Sequence, residues 1–339
     1  MIRLAFRNLF QNKARLVISV GGVALALLLI LALDAVFTGV ERRITAYIDF
    51  SGADIWVSQE DVRNMHMASS SMPESAARKI KRVEGVASVT PILYLTNNVV
   101  AGDERNLAYV IGLPEQVEFG GPWKVSAGAS LPGEGEVIVD RGIAENSGIA
   151  LGDEVEILGK EFVVSGFSEG TSTLVNSVVF ISADDFEEMR GSYGTVSFLL
   201  VKVNGGESPK VVAARIESQI RDVTAQTRDG FASQERKVVK DMSADLITIM
   251  NLIGFLIGLA VMALTVYTST LSRRREYGML KAIGARNSHL YLTVLAQAVL
   301  SVILGFLFGL LITLALTVIT PAFGSNLTLA VSPASFLKV

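Results

Sequence analysis

Three stretches of this chain are too long and too apolar to lie on a water-exposed surface. Leu16 to Phe37 holds one charged residue, Asp34, and Leu246 to Leu271 and Leu292 to Ile319 hold none. A helix needs roughly 20 apolar residues to cross the hydrocarbon core of a bilayer, and each run exceeds that. Lipid cannot satisfy backbone polar groups, so a spanning run of this kind is a helix. The runs predict spans at 16–37, 246–271 and 291–319. Hydrophobic residues make up 50% of the 339; their concentration in three runs, more than the total, sets the class. The first run has the basic flanks of a signal peptide. It is longer than a usual apolar core, however, and no small-residue cleavage site follows it, so it reads as a span.

Charge orients the spans. Residues 1–15 carry Arg3, Arg7, Lys13 and Arg15 without an acid. Residues 272–289 carry Arg273, Arg274, Arg275, Lys281 and Arg286 against Glu276 alone. These two short segments hold +8 in a chain whose net charge is −3, leaving −11 for the rest. Short basic segments stay in the cytoplasm. The N-terminus and the 272–290 link are therefore expected inside and residues 38–245 outside, in a cell (cytoplasmic) membrane.

The segments between the runs have their own patterns. In residues 1–15, Ile2, Ala5, Phe6, Leu9 and Phe10 fall on one helical face, with Arg3, Arg7, Asn8, Gln11 and Asn12 on the other, as in a helix lying in the headgroup layer. Residues 38–245 read as a mixed α/β domain. Strand-like runs occur at Val86–Tyr94, Leu107–Gly112, Glu136–Asp140, Glu154–Leu158, Glu161–Phe167, Ser177–Ile181 and Val196–Val203. Gly159-Lys160 suggests a hairpin, and Ser71 with Glu74 a capping box for a helix running to Gly85. Ser208-Pro209 opens a helix with Val212, Ile216 and Ile220 on one stripe. Ser233 to Asp245 reads as a polar helix leading into the second span. Small residues four apart, Gly22/Ala26, Gly254/Gly258 and Gly305/Gly309, mark ridges for helix contact in lipid. Residues 320–339 read as an outer loop in which Pro333–Val339 could begin another span.

Catalytic motifs are missing. No GxxxxGK[ST] phosphate loop, GxSxG or HExxH occurs; there are two histidines, His66 and His289, and no cysteine. Gly205-Gly206-Glu207-Ser208-Pro209-Lys210 lacks the phosphate-loop spacing and puts proline where a backbone N–H is needed. No span carries an ionisable group near its middle, where ion-coupled carriers usually place one. Three spans are too few to enclose a pathway, which implies a subunit that is not itself an enzyme.

The most informative segment is the basic link, Arg273-Arg274-Arg275-Glu276-Tyr277-Gly278-Met279-Leu280-Lys281-Ala282-Ile283-Gly284-Ala285. A helix over Glu276–Ile283 would put Met279, Leu280 and Ile283 on one face. Gly284 would be its C′ residue, and Asn287 or Ser288 would cap the next span. A basic anchor with a turn would explain the arginines but not a short amphipathic helix closed by glycine.

RRREYGMLKAIGA resembles the cytoplasmic link of MacB/FtsX-type ABC permeases. MIRLAFRNLFQNKARLVIS is similar to that family's amphipathic start. GEVIVDRGIAENSGIALGDEVEILGKEFVVSGF and SVVFISADDFEEM are similar to its extracytoplasmic core domain. The resemblance covers nearly the whole chain. It implies an integral membrane α-helical protein with an α/β extracytoplasmic domain between spans 1 and 2, and four spans where three are seen. It further implies a permease homodimer served by two copies of a separate ATPase that binds the ATP and Mg²⁺. An adaptor or other envelope protein would be a further partner; neither nucleic acid nor a cofactor in this chain is expected. Arg275, Glu276, Tyr277, Gly278, Leu280, Lys281, Ala282, Gly284 and Ala285 would form the coupling element, to which the periodicity adds Ile283.

GADIWVSQEDVRNMHMASSSMPES and VEGVASVTPIL are most similar to the DevC and haem-efflux (HrtB-like) branch. The reading is ATP-driven efflux, or transmitted motion, acting on a hydrophobic or amphiphilic molecule such as haem or a lipid. FtsX-like control of a wall hydrolase and Lol-type lipoprotein extraction are the alternatives. Met65, His66, Met67 and Met72, with Asp34, Glu41 and Tyr47 at the outer end of the first span, are the expected substrate site, since thioether and imidazole groups ligate haem iron and methionine makes adaptable apolar surface.

The orientation has a direct check, because the chain has no cysteine of its own. In intact cells a membrane-impermeant thiol reagent should label Ser130→Cys and spare Ser288→Cys. Labelling at position 288 alone would invert the topology.

Overall fold

The computed structural model describes residues 13–171 and 177–319. The helix expected over 1–15 lies almost wholly outside the described residues, and the tail at 320–339 entirely so. The chain starts with α1 (Lys13–Ile44), α2 (Ala46–Phe50), β1 (Ile55–Gln59), β2 (Met72–Pro73) and α3 (Ser75–Ile80). Next come β3 (Val86–Ala101), β4 (Glu104–Leu113), β5 (Val125–Gly128), β6 (Glu136–Asp140), α4 (Arg141–Ser147), β7 (Glu154–Ile157) and β8 (Lys160–Ser168). The rest is β9 (Ser177–Ser182), α5 (Ala183–Arg190), β10 (Thr195–Val196), β11 (Phe198–Val203), α6 (Pro209–Gln219), β12 (Val223–Thr227), α7 (Arg228–Ser272), α8 (Arg274–Ala282) and α9 (Asn287–Ile319). Contacts divide the chain into a unit of residues 40–241 and a unit drawn from 1–39 and 242–339.

In the helical unit, Thr248–Ser272 of α7 and Asn287–Leu316 of α9 are long and apolar enough to cross a membrane. The span expected at 16–37 falls on α1, whose apolar stretch among the described residues is the shorter Val20–Ala32. Helices in lipid gain little from hiding apolar surface, so their contact depends on close backbone approach. Glycine provides it here. A Cβ on Gly22 would lie 2.2 Å from Val261 Cγ1, one on Gly258 3.3 Å from Ala26 Cβ, and one on Gly305 2.7 Å from Val23 Cβ. A Cβ on Gly309 would meet Ala24 O at 3.0 Å. The small-residue ridges thus place α1 against both α7 and α9. A polar contact joins the latter two: buried Gln297 Nε2 donates to buried Ser269 Oγ at 3.2 Å.

The α/β unit is built on a ten-stranded sheet ordered β12-β1-β11-β3-β4-β9-β6-β8-β5, with β7 pairing β3 and β8. β4–β9 and β6–β8 are parallel; the other pairs are antiparallel. Successive side chains on a strand point to opposite faces, and both faces are covered. Trp56, Phe198 and Leu200 enter one core with Tyr47, Tyr109 and Phe231. Their neighbours Ile55, Val57, Leu199 and Val201 enter another with Ile80, Val212 and Ile216, beneath α3 and α6. Two covered faces explain why these strands are continuous apolar runs rather than alternating ones.

Two local expectations shift. Ile157 pairs with Lys160, so the hairpin turn is Leu158-Gly159, both at positive φ (53° and 80°), one residue before the expected dipeptide. Ser71 caps no helix, because Met72–Pro73 pairs with Val196 and Thr195; α3 starts at Ser75 behind Glu74, which makes no side-chain cap. The α6 expectation holds, with Ser208 at the N-cap, Pro209 first, and Val212 and Ile216 buried.

Gly22→Ala and Gly305→Ala should each cost about 1–3 kcal/mol by overpacking and lower the melting midpoint of the detergent-solubilised chain. Gly21→Ala, whose Cβ would meet nothing within 4 Å, should leave it unchanged. Equal midpoints for the Gly21 and Gly22 variants would remove close approach as the packing principle.

Candidate functional site

The link between the two long apolar helices folds as α8, which starts two residues before the expected Glu276 and ends one before the expected Ile283. Its close is a Schellman arrangement. Gly284 takes φ +92°, its N–H donates to Lys281 O at 3.1 Å, and the Ala285 N–H donates to Leu280 O at 3.0 Å. Only glycine reaches that φ without strain. At the other end Arg273, 6% exposed, holds Glu276 at 3.6 Å. Glu276 in the first turn and Lys281 in the last both favour the helix dipole. Tyr277, Leu280 and Ala285 are half-buried. Arg275, Glu276, Gly278, Lys281, Ala282 and Gly284 are exposed. Met279 and Ile283 stand 65% and 82% exposed, an apolar pair left uncovered among the described residues. Neither Asn287 nor Ser288 is an N-cap; α9 already includes both.

Of the residues expected to hold a substrate, Tyr47 and Met65 share one buried core, while Met72 lies in another and Met67 is exposed. Tyr47 is buried against Trp56 and Phe180, its hydroxyl donates to Gly120 O at 2.8 Å, and burial holds the phenol far above its ordinary range. It is a core residue and not a surface one. Met65 and Met72 are buried in different cores, and Met67 alone is exposed. His66 has both ring nitrogens engaged, Nδ1 with the Glu235 carboxylate and Nε2 with the Tyr109 hydroxyl. A carboxylate only accepts, so Nδ1 donates, and a neutral ring accepts the Tyr109 proton at Nε2. No imidazole lone pair is left for haem iron. Asp34 and Glu41 lie along α1.

That correction exposes residues the sequence reading passed over. Glu235 on α7 is fully buried; its second oxygen accepts the Met65 N–H at 2.7 Å. The adjacent Arg236 donates to Thr45 Oγ1 at 3.3 Å and lies 3.9 Å from Asp49 on α2. Tyr94 is nearby, its phenol raised by burial first and by the Glu235 charge besides. The signal was available in the sequence: Phe231, Ala232 and Glu235 share one face of a polar helix, and an acid on an apolar face needs a partner.

In the helical unit a groove of about 520 Å³ opens between α1 and α7, lined by apolar residues that include Val23, Ala26, Ile30, Phe255, Leu259 and Met262.

Residues 16–219 match the family described as the MacB-like periplasmic core domain, and residues 248–339 match the FtsX-like permease C-terminal family. An uncharacterised ABC transporter permease of Mycobacterium bovis is 22% identical over 331 residues, covering 95% of this chain and 87% of that protein. Another, from Methanocaldococcus jannaschii, is 22% identical over 348 residues, covering 95% and 84%. Among solved structures, the periplasmic region of MacB from Actinobacillus actinomycetemcomitans aligns with a TM-score of 0.42 at 16% identity, over 56% of this chain and 96% of that one.

The placement of the methionines is testable. Met72→Ala should cost about 2–5 kcal/mol, as buried large-to-small changes do, while Met67→Ala stays within about 0.5 kcal/mol. Denaturant unfolding followed by tryptophan fluorescence reads both. Equal losses would contradict the packing of residues 60–72.

Proposed function

Because this chain belongs to the MacB/FtsX family of ABC permeases, we propose that it is the non-catalytic membrane subunit of an ATP-driven complex. ATP and Mg²⁺ are held by a separate ATPase, two copies of which serve a permease homodimer. The observation that carries this reading is the exposed Met279/Ile283 pair on α8. It lies on a short helix fixed by a buried arginine at one end and a glycine cap at the other, between two helices apolar enough to span. Such a helix offers an apolar knob to a groove, with Arg274, Arg275 and Lys281 as a charged rim.

In this reading α1 is the third span, the 272–290 link is cytoplasmic, and residues 38–245 lie on the other side of the membrane. ATP-driven displacement of α8 passes into α7, a single helix from Arg228 to Ser272, whose first turns pack in the α/β core. The substrate is hydrophobic or amphiphilic. The apolar groove between α1 and α7 supports that class, and the burial of Met65 and Met72 with the engaged His66 ring weighs against haem in particular.

Met279→Asp with Ile283→Asp should abolish copurification of the ATPase while leaving membrane insertion intact. Undiminished copurification and ATP turnover would refute the docking role of α8. Leu280 is half-buried, so changing it would disturb the packing of α8 as well as its docking.

A further inference from the structure

The first turns of α7 are the place where displacement of the membrane segments must be handed to the α/β domain. α7 follows β12 directly, its Arg228 N–H donates to Asp54 O at 2.9 Å, and beyond that first residue apolar and polar side-chain contacts hold it. Phe231 stacks on Trp56 with ring centroids 4.9 Å apart and 10° between planes, and Ala232 is buried beside it. Apolar packing has no preferred direction, so beyond the anchored first residue this contact fixes the turn and height of the helix less well than a directional bond does. The polar contacts are directional. Glu235 gives one oxygen to His66 and the other to the Met65 N–H, and His66 continues the chain of bonds to Tyr109 on β4. Arg236 points elsewhere and reaches Thr45 and Asp49 on the segment that follows α1, where Thr45 Oγ1 also donates to Asp49 at 2.7 Å.

A slip of α7 by one residue, about 1.5 Å, would take both grips out of register. It would leave a fully buried carboxylate without its donors, and an uncompensated buried charge costs far more than the pair contributes in place. A buried ion pair is a poor means of adding stability, which apolar residues supply at least as well. Here apolar packing is already in place on either side. What the charges add is register.

We infer that Glu235 and Arg236 form a positional lock, two adjacent opposite charges that fix α7 against β4, residues 65–66 and α2 so that helix and sheet move as one body. On the reading that the chain is a permease subunit, this lock makes motion of α7 obligatory for the domain. Both are positioning residues; neither touches a substrate.

Labels at Ser233→Cys on α7 and Ser126→Cys on β5, both exposed positions in a chain without cysteine, report helix against sheet. In the complex with its ATPase, the wild-type label distance should be the same without nucleotide and with ATP plus vanadate. With Glu235→Leu it should become nucleotide-dependent. Amide exchange at 228–241 should then quicken by roughly tenfold or more while β4 and β9 keep their protection. Glu235→Gln, which retains the shape and one acceptor, should fall between, and it carries the test if Glu235→Leu does not fold. A distance that stays invariant in both variants would overturn the lock, as would faster exchange spread evenly over the whole sheet. If the wild-type chain recruits no ATPase, the permease reading fails by itself. The lock is then judged by exchange in the chain alone, where unchanged rates at 228–241 in Glu235→Gln would overturn it.

Discussion

Lipid offers no reward for burying one apolar side chain against another, and that constraint organises the helical half of this chain. Contact has to come from how closely backbones approach and from the few polar groups that find partners. Gly22, Gly258, Gly305 and Gly309 set the approach of α7 and α9 to α1, and Gln297 with Ser269 adds the polar contact. The link inherits its position from this packing. Arg273, buried where α7 ends, and Gly284, in its left-handed turn, leave α8 few alternatives. Met279 and Ile283 are exposed because the two ends of α8 are held.

The α/β half obeys the opposite rule. Water surrounds it, and burial of apolar area drives it. Strands such as β1 and β11 send successive residues into two cores, so their sequences carry no polar face. Glu235, like Asp140 and Asp185, is a buried acid within this packing. A charge there is tolerated only with full hydrogen bonding, and that requirement makes the attachment of α7 directional.

The sequence made the two long apolar helices, Thr248–Ser272 and Asn287–Leu316, legible because charge is excluded from lipid more strictly than any other feature is imposed. It made most of the large-sheet strands legible because β-branched runs between glycines have few other solutions. The link was legible nearly to the residue, since its glycine cap and its periodicity are local. What failed was non-local. Ser71 and Glu74 had capping spacing, but Met72–Pro73 is claimed by β10, more than a hundred residues away. Met65, His66, Met67 and Met72 looked like a cluster because they are close in sequence. Their side chains diverge into two cores, a carboxylate and solvent, and spacing in a loop says nothing of facing. Strands β5 and β12 were missed because edge strands with one partner need little apolar signal; β1, flanked on both sides, was missed because Ile55-Trp56-Val57 is too short an apolar run to stand out. Glu235 went unread because the expected helix began at Ser233, which left Phe231 and Ala232, the apolar residues of its face, outside the helix.

The central claim is that the exposed face of α8 is an ATPase docking element. Photocrosslinking in native membranes from an unnatural side chain at Ile283 tests it most directly. The account predicts one adduct, with a protein whose peptides include a GxxxxGK[ST] phosphate loop, and no adduct from the half-buried position of Leu280. A crosslink at Ile283 only to lipid or to the same chain, with the ATPase captured elsewhere, would contradict it.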